Sequence, residues 1–331
     1  MSWWSGRMAC TSRLKNLKRG REDKQMKWQS ASECGEMLSE AATQALIQEV
    51  ALSPKPGLVD KYQNGSHTDL NYRLMYRSAE ALQNSFYHIA KRAYEAELNQ
   101  ALREDIGQIG RVAEKNMFLA TEGVNTHKGA IWALGLFTAV MASMNSEEIS
   151  RKRLARLVGG LALLKDPSAG AAKTNGRQAE IQYNISGAKG EAGSGFPHVT
   201  EVGLPMLWNS RKKGFTEKTS RLNTLVAIMA SLSDTCVLHR AGSEALASMH
   251  DKASLILLSG GVAYKDGRDL LLELDKELIE KNASPGGCAD MLAATLYIDA
   301  VCFNSLKTSN DLKYLRKEKH IHEYTHAGVS R

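Results

Sequence analysis

Apolar side chains return every three or four residues along most of the chain, which is the spacing of one face of an α-helix. Residues 33–52, for example, place leucine, alanine and valine at this spacing. The same pattern predicts further helices at 70–100, 105–122, 127–144, 147–164, 199–208, 223–238, 243–258, 268–282 and 285–305. No segment alternates convincingly as a strand would, and all six prolines fall at breaks or helix starts. We therefore predict an all-α fold, with one large multi-helix domain over residues 33–305.

The stretch from Ser168 to Pro197 interrupts this pattern. It is rich in glycine, alanine, serine and asparagine, so it contains too many helix breakers for a long helix. We expect a loop here, and a loop of this length inside a compact domain is usually functional or disordered. Its candidate functional side chains are Lys189 and Glu191.

The two ends of the chain differ from the middle in charge. Residues 1–32 carry eight lysines and arginines against two acids, and residues 306–331 carry six against three, although the net charge of the whole chain is only +7. We predict a basic flexible N-terminal extension and a basic polar C-terminal tail. A helical protein that binds nucleic acid through these ends is the alternative from another class, but we do not expect nucleic acid as a partner because charge is the only recognition feature.

Cysteine usage and hydropathy favour a cytoplasmic protein. The five cysteines are widely spaced and form no CxxC pair. No segment approaches the roughly 18 consecutive apolar residues of a membrane-spanning helix, and the N-terminus lacks the apolar core of a signal peptide. We therefore expect no membrane association.

The segment from Gly123 to Gly129 joins two predicted helices and concentrates polar groups at the second one. Asn125 or Thr126 can cap that helix, which begins with His127 and Lys128 and continues as an almost entirely apolar body. Free amides and a cation at a helix N-terminus favour an anion, and Gly129 allows it to approach the backbone. An ordinary capped corner between two helices is the alternative interpretation.

A polar loop follows the first helix. Lys55 stands between two prolines, which fix the direction of the backbone that carries it. Asp60 follows, and His67 and Asp69 lie in a glycine-containing turn. His67 and Asp69 could share a metal ion, or Asp69 could simply cap the next helix.

Further helix ends combine glycine with an ionisable or capping group, namely Asp234, Arg240, Ser284, Gly286, Gly287 and Asp290. Ser284 is a suitable cap, Pro285 suits the first helical position, and the two glycines leave backbone amides accessible. If all these corners converge, they supply cations and amides for phosphate groups, carboxylates for Mg²⁺ and a group to accept a proton.

Four segments together resemble one known family, the triphosphoribosyl-dephospho-CoA synthases. They are residues 49–60, 123–129 (GVNTHKG), 187–197 (GAKGEAGSGFP) and 284–292 (SPGGCADML), in the order and spacing of the family. The resemblance covers roughly residues 33–305. It departs from the family at Lys189, where the family favours arginine, and around Arg240, where the family shows Arg-Gly-Gly.

The resemblance implies a pentosyl transfer. The ribose 2′-hydroxyl of 3′-dephospho-CoA attacks C1′ of ATP and expels adenine, and the change from a β- to an α-linkage implies one direct displacement. The product is the prosthetic-group precursor of citrate lyase or malonate decarboxylase, which a separate acyl-carrier-protein transferase uses. The sequence leaves the choice between these two pathways and the oligomeric state open.

The resemblance also suggests a role for each polar corner. The catalytic candidates, in order, are Glu191, Asp234 and His127. The proposed Mg²⁺ ligands are Asp60, His67, Asp69 and Asp290. The proposed substrate- and phosphate-binding residues are Lys55, Asn125, Thr126, Lys128, Gly129, Lys189, Arg240, Ser284, Gly286 and Gly287. Hydrolysis of a nucleotide N-glycosidic bond at a Mg²⁺ site is the alternative reaction.

Overall fold

The computed structural model describes residues 28–145, 150–168 and 174–303. Within them the chain forms helices and no strands, so the predicted all-α fold is confirmed. The twelve described α-helices are α1 (Ala31–Ala51), α2 (Tyr72–Ala93), α3 (Gln100–Ala120), α4 (Lys128–Ser143), α5 (Arg151–Leu163), α6 (Asn175–Tyr183), α7 (Gly187–Gly193), α8 (Leu204–Lys212), α9 (Glu217–Met229), α10 (Thr235–Leu258), α11 (Lys265–Glu280) and α12 (Gly286–Ile298). Two short π-helices, π1 (His198–Gly203) and π2 (Asp299–Phe303), precede α8 and follow α12.

The charge-rich end segments predicted from the sequence fall largely outside the described residues, at 1–27 and 304–331. Among the helices that are described, none is long and apolar enough to cross a membrane.

Helices α4 and α12 form the centre of the domain. Most of their side chains are buried, because both sequences are apolar on every face. Two contacts show that the helices run parallel. Gly129 meets Asp290 in their first turns, and the Thr138 and Tyr297 hydroxyls bond at 2.9 Å further along. Their N-termini therefore lie at the same end of the domain.

The continuous segment formed by π1 and α8 runs in the same direction as α12. Gly203 lies against Thr295, and five residues later Trp208 Nε1 donates to Asp299 Oδ1 at 2.7 Å. Counting back along this register places His198, the first residue of π1, near the beginning of α12.

The stretch from Ser168 to Pro197 is not the continuous loop expected from its composition. It contains α6, whose first turn is capped by Thr174, and α7. Gly195 serves close packing, because a Cβ there would collide with the backbone carbonyl of Ala155 on α5. Composition alone does not distinguish glycine that permits close packing from glycine that confers flexibility.

The predicted helix at 223–238 is also corrected. Helix α9 ends at Met229, and Asp234 begins a new helix by capping α10. The predicted corner at 239–242 lies inside α10, where only Gly242 leaves helical geometry, with φ of 81°. Because aliphatic residues continue on both sides of the break between α9 and α10, the apolar periodicity did not reveal it.

Several predicted caps change as well. Helix α3 ends at Ala120, and Glu122, rather than Gly123, is the first residue after it with a positive φ, of 57°. Gly123 follows with φ of 92°, and its N donates to Phe118 O at 2.8 Å.

Asn71, and not Asp69, caps α2 by accepting a bond from Leu74 N at 2.9 Å. The residue preceding α4 is His127, whose side chain makes no capping bond.

Two more cap predictions concern single hydroxyls. The Thr126 hydroxyl bonds to Ser78 at 2.5 Å and does not cap α4, whereas Asn125 Oδ1 accepts from Lys128 N at a long 3.3 Å. Ser284 does not cap α12, because its hydroxyl is bonded to His67. Pro285 stands just before the first helical residue of α12, one position earlier than predicted.

Candidate active site

Three helix N-termini meet at one end of the domain. A Cβ on Gly129 in α4 would collide with the carboxylate of Asp290 in α12. A Cβ on Gly287 in α12 would lie 3.0 Å from the carboxylate of Asp234, which caps α10. The sequence placed candidate residues on all three helices, and the structure brings these helix starts together.

Asp234 joins the first turns of α10 and α12. Its Oδ1 accepts bonds from Cys236 N at 2.8 Å and Val237 N at 3.3 Å, and its Oδ2 accepts from Cys288 N at 2.8 Å. The side chain is 1% exposed. Burial raises the pKa of Asp234, and the three backbone bonds partly offset that rise.

Asp290 reaches from α12 to the N-terminus of α4, where it accepts a bond from the backbone of Ala130. Enclosure by protein raises the pKa of Asp290 well above its usual value, and the carboxylates of Asp234 and Glu49 add to the rise. The first turns of α4, α10 and α12 are thus already bonded to protein carboxylates. A bound anion would have to find other donors.

Lys55 forms a buried ion pair that the sequence did not predict. Its ammonium group bonds to Glu49 at the end of α1, and the two side chains are 1% and 4% exposed. Burial raises the pKa of Glu49, although Lys55 opposes the rise. Glu49 lies in the first family-like segment and on the buried face of α1, so its position was the available signal.

His127 lies beside this pair. Its Nδ1 bonds to the Ser78 hydroxyl at 2.9 Å, while Nε2 is buried and has no hydrogen-bond partner among the described residues. Burial, and then the charge of Lys55, lower the pKa of His127 to about 3. The imidazole is therefore neutral near pH 7, and one ring nitrogen remains for a ligand.

Lys128 stands at the rim of the same corner. It forms an ion pair of 2.8 Å with Glu114 on α3, and both side chains are about one third exposed. Such a pair is weak, since water screens it. Glu114 is a second carboxylate that the sequence did not indicate.

Asp60 organises the loop that follows Lys55. Its two carboxylate oxygens accept bonds from three backbone amides, those of Lys55 at 3.3 Å, Tyr62 at 2.7 Å and Gln63 at 3.0 Å. The side chain is 1% exposed. These bonds engage both oxygens of Asp60, which the sequence analysis had proposed as a Mg²⁺ ligand.

The second half of this loop contacts the segment before α12. His67 Nε2 bonds to the Ser284 hydroxyl at 2.8 Å, and Nδ1 lies 3.4 Å from the exposed carboxylate of Asp69. Arg240 Nη2 donates to Ser66 O at 2.5 Å, which ties α10 to the same loop. Burial and the charge of Arg240 lower the pKa of His67.

The four predicted metal ligands do not form one coordination sphere. Asp60 is bonded within its loop, His67 and Asp69 pair near Ser284, and Asp290 lies at the start of α4. Within the described ranges, no three histidine, cysteine, aspartate or glutamate side chains are arranged to hold a metal ion by themselves.

Glu191 occupies a separate place on α7. Its two carboxylate oxygens bond to His198, one to the backbone N and one to Nδ1, both at 2.9 Å. From the register of π1 against α12 we infer that this pair lies toward the first half of α12, while Phe196, two residues before His198, packs against Phe137 in the middle of α4. Lys189, two residues earlier, is exposed.

Comparisons with known proteins agree with the family resemblance of the sequence. Residues 35–308 match the family model described as ATP:dephospho-CoA triphosphoribosyl transferase. A 2-(5″-triphosphoribosyl)-3′-dephosphocoenzyme-A synthase of Klebsiella pneumoniae is 47% identical over 264 residues, which is 80% of this chain and 94% of that protein. Probable synthases of the same name are similar too. The protein of Pseudomonas aeruginosa strain UCBPP-PA14 is 46% identical over 81% of this chain and 92% of its own length. The protein of Stutzerimonas stutzeri is 47% identical over 81% of this chain and 93% of its own length. No solved structure matches the chain.

The helical fold, with ionisable groups enclosed at converging helix starts, is that of an all-α enzyme, and the similar proteins define it as a transferase. The chain belongs to the ATP:dephospho-CoA triphosphoribosyl transferase family.

Proposed function

We propose that this chain transfers the 5-triphosphoribosyl group of ATP to the ribose 2′-hydroxyl of 3′-dephospho-CoA and releases adenine. The observation that carries the proposal is the enclosed group of Glu49, Lys55, His127 and Asp290 where α4, α10 and α12 begin. These side chains combine a buried cation, a neutral imidazole and carboxylates. Such a combination suits a substrate with many negative charges and a reaction that moves one proton.

Side chains, rather than helix amides, are the proposed phosphate ligands. Asp234 and Asp290 already accept bonds from the amides of three helix starts. Lys128 can leave its weak pair with Glu114 for a triphosphate, which carries far more charge. His127 Nε2 offers a further hydrogen bond, and the charge of Lys55 acts on the same region.

Mg²⁺ is the proposed cofactor, and Asp290 is the residue that would face it. Asp290 retains some exposure to solvent, and burial, followed by the negative charges of Asp234 and Glu49, raises its pKa. A cation beside Asp290 would offset these effects. Proteins usually hold Mg²⁺ through one or two carboxylates, with substrate phosphates and water completing the sphere. When bound, the ion would offset the charge of the triphosphate.

Glu191 remains the proposed proton acceptor. In the reaction a bond forms between the 2′-oxygen and C1′ of ATP while the bond from C1′ to adenine N9 breaks. The electron pair leaves with adenine, and the proton of the 2′-hydroxyl passes to the base. A nearby carboxylate also stabilises the oxocarbenium-like transition state expected for such a displacement. Glu191 is held by His198 in one orientation, as such a group requires.

The product would pass to a separate acyl-carrier-protein transferase in the cytoplasm. The relatives are named for the product and not for the enzyme that receives it. Citrate lyase and malonate decarboxylase both remain candidate destinations, and the genes beside this one would separate them.

Adenine release tests the proposal. The purified protein is incubated with ATP and Mg²⁺, with and without 3′-dephospho-CoA. The products are then separated by chromatography and identified by mass spectrometry. We expect one adenine per triphosphoribosyl group joined to 3′-dephospho-CoA, and none without this acceptor. Free triphosphoribose would identify a hydrolase instead. No adenine release under either condition would refute the proposal.

A further inference from the structure

Asp234 was a candidate base, yet its contacts are those of a connector between two helices. Its Oδ1 caps α10 through Cys236 N and Val237 N, and its Oδ2 accepts from Cys288 N in the first turn of α12. Amides in a first helical turn have no partner within their own helix, so each needs an external acceptor. One carboxylate supplies it for both helices.

We propose that Asp234 is a positioning residue that fixes residues 284–290 in the active site and does not accept the reaction proton. This inference rests on the proposed function. Three backbone donors engage the two carboxylate oxygens, and the side chain is 1% exposed. These donors use three of the roughly four acceptor positions of the carboxylate, and the buried side chain offers an attacking hydroxyl little access to the remaining one.

The connection continues from α12 to α4. Cys288 lies two residues before Asp290, in the same helical turn, and Asp290 accepts a bond from the backbone of Ala130 in α4. Asp234 thus fixes the turn that carries Asp290. Loosening one end of this connection displaces the carboxylate that we propose to face Mg²⁺ and the triphosphate.

Gly287 shows how closely the two helices approach at this point. A Cβ there would lie 3.0 Å from Asp234 Oδ2 and 3.2 Å from its Cγ, which is tighter than an ordinary contact. Only glycine leaves the distance between α10 and α12 unchanged. Substitution of Gly287 therefore disturbs the connection while Asp234 stays intact.

The first test is Asp234→Asn, followed by hydrogen exchange and adenine release. Asparagine has the same shape and is an equally good helix cap, so its oxygen keeps α10 capped. Its side-chain NH₂ group then faces the backbone N–H of Cys288, and because both groups are donors, the bond to α12 is lost. We expect at least tenfold faster exchange of amides 286–290, unchanged exchange in α10, and at least tenfold slower adenine release.

Gly287→Ala is the second variant, and it approaches the same contact from the other helix. We expect a change of exchange in the same segment and the same direction, with a smaller loss of adenine release. This variant keeps the inference testable if Asp234→Asn does not fold.

Asp299→Asn is the matched control. Asp299 is also a buried carboxylate, paired with Arg211 at 2.7 Å, but it lies beyond the other end of α12. We expect lower thermal stability, unchanged exchange at 286–290 and unchanged adenine release.

The outcomes separate the two roles of Asp234. Lost adenine release with unchanged exchange at 286–290 in Asp234→Asn would identify a proton acceptor and overturn the inference. Faster exchange with undiminished release would overturn it too, because the position of the segment would then not matter. Wild-type protein that releases no adenine would refute the proposed function, whereas the exchange result would still stand.

Discussion

The buried pair of Lys55 and Glu49 is costly for the free protein. Moving two charges out of water costs several kcal/mol per ion, and their attraction often fails to repay it. Apolar residues of similar volume would fill the same space without that cost. Glu49 makes chemical sense as the residue that fixes the positively charged Lys55 beside His127, at the place where we expect the triphosphate.

A double-mutant cycle tests this account of the pair. Glu49→Gln and Lys55→Met should each lower the free energy of unfolding by about 3–5 kcal/mol, because each leaves one buried charge alone. The double variant should be more stable than either single variant, yet release no adenine. Urea unfolding and the adenine assay measure both quantities.

The pair of Glu114 and Lys128 supplies the comparison for that cycle. Since both side chains are about one third exposed, Glu114→Gln should change the free energy of unfolding by about 1 kcal/mol or less. A cost as large as that of Glu49→Gln would contradict the contrast between the two pairs.

His127 gives a pH-dependent prediction. Its pKa in the folded protein is about 3, below the unfolded value of about 6.5. The neutral form therefore contributes stability that is complete above pH 6.5 and is lost as the pH falls toward 3. Between these two pKa values the free energy of unfolding of the wild type should fall by about 1.4 kcal/mol for each pH unit, and His127→Asn should lack this fall. The asparagine amide can still bond to Ser78.

Chemical denaturation of both proteins between pH 4 and 8 measures this difference. Parallel stability curves for wild type and His127→Asn would show that the pKa of His127 is the same in the folded and unfolded states, and would contradict the lowered pKa.

At the scale of single residues, the sequence selected several polar side chains that the structure encloses, but it did not predict which residues they contact. Lys55, His127, Asp234 and Asp290 were all selected, because unusual residues mark helix ends. Glu49 was missed, since one acid on a helix looks like ordinary surface until its partner is known. The partners lie far apart along the chain, so no local pattern reveals them.

At the scale of helices, the parallel packing of α4 and α12 depends on Gly129. In Gly129→Ala the new Cβ collides with the Asp290 carboxylate, which must leave its bond to the Ala130 backbone. We expect a folded protein whose adenine release falls at least tenfold. Steady-state kinetics and circular dichroism measure the two effects.

Gly110→Ala on α3 is the control for that substitution, because a Cβ at Gly110 meets nothing within 4 Å. It should raise the free energy of unfolding by about 0.5–1 kcal/mol through helix propensity, and leave turnover unchanged. Equal turnover in Gly129→Ala and Gly110→Ala would contradict the role given to the first turn of α4.

The sequence predicted most helices because their apolar faces repeat at 3.6 residues, but two regions failed for physical reasons. Helices α6 and α7 lie where the glycine content seemed to forbid helices, and the glycines at the end of α7 permit close packing against α5. The boundary between α9 and α10 was missed because apolar residues continue across it, and only the cap at Asp234 marks it.

At the scale of the whole molecule, the domain collects its chemistry at one end. Helices α4, α10 and α12 begin there, and the segment formed by π1 and α8 runs parallel to α12. The opposite end of α12 carries a buried ion pair of Asp299 and Arg211 with no candidate site residue. One helix therefore carries the proposed functional carboxylate, Asp290, near its start and a second carboxylate, Asp299, just beyond its end.

Adenine release by Asp290→Asn, measured beside Asp299→Asn with ATP, Mg²⁺ and 3′-dephospho-CoA, tests the central claim most directly. We expect Asp290→Asn to reduce turnover at least a hundredfold while it stays folded, because the carboxylate beside the triphosphate is gone. Asp299→Asn should turn over like the wild type. Wild-type turnover in Asp290→Asn would contradict an active site at the start of α4 and α12.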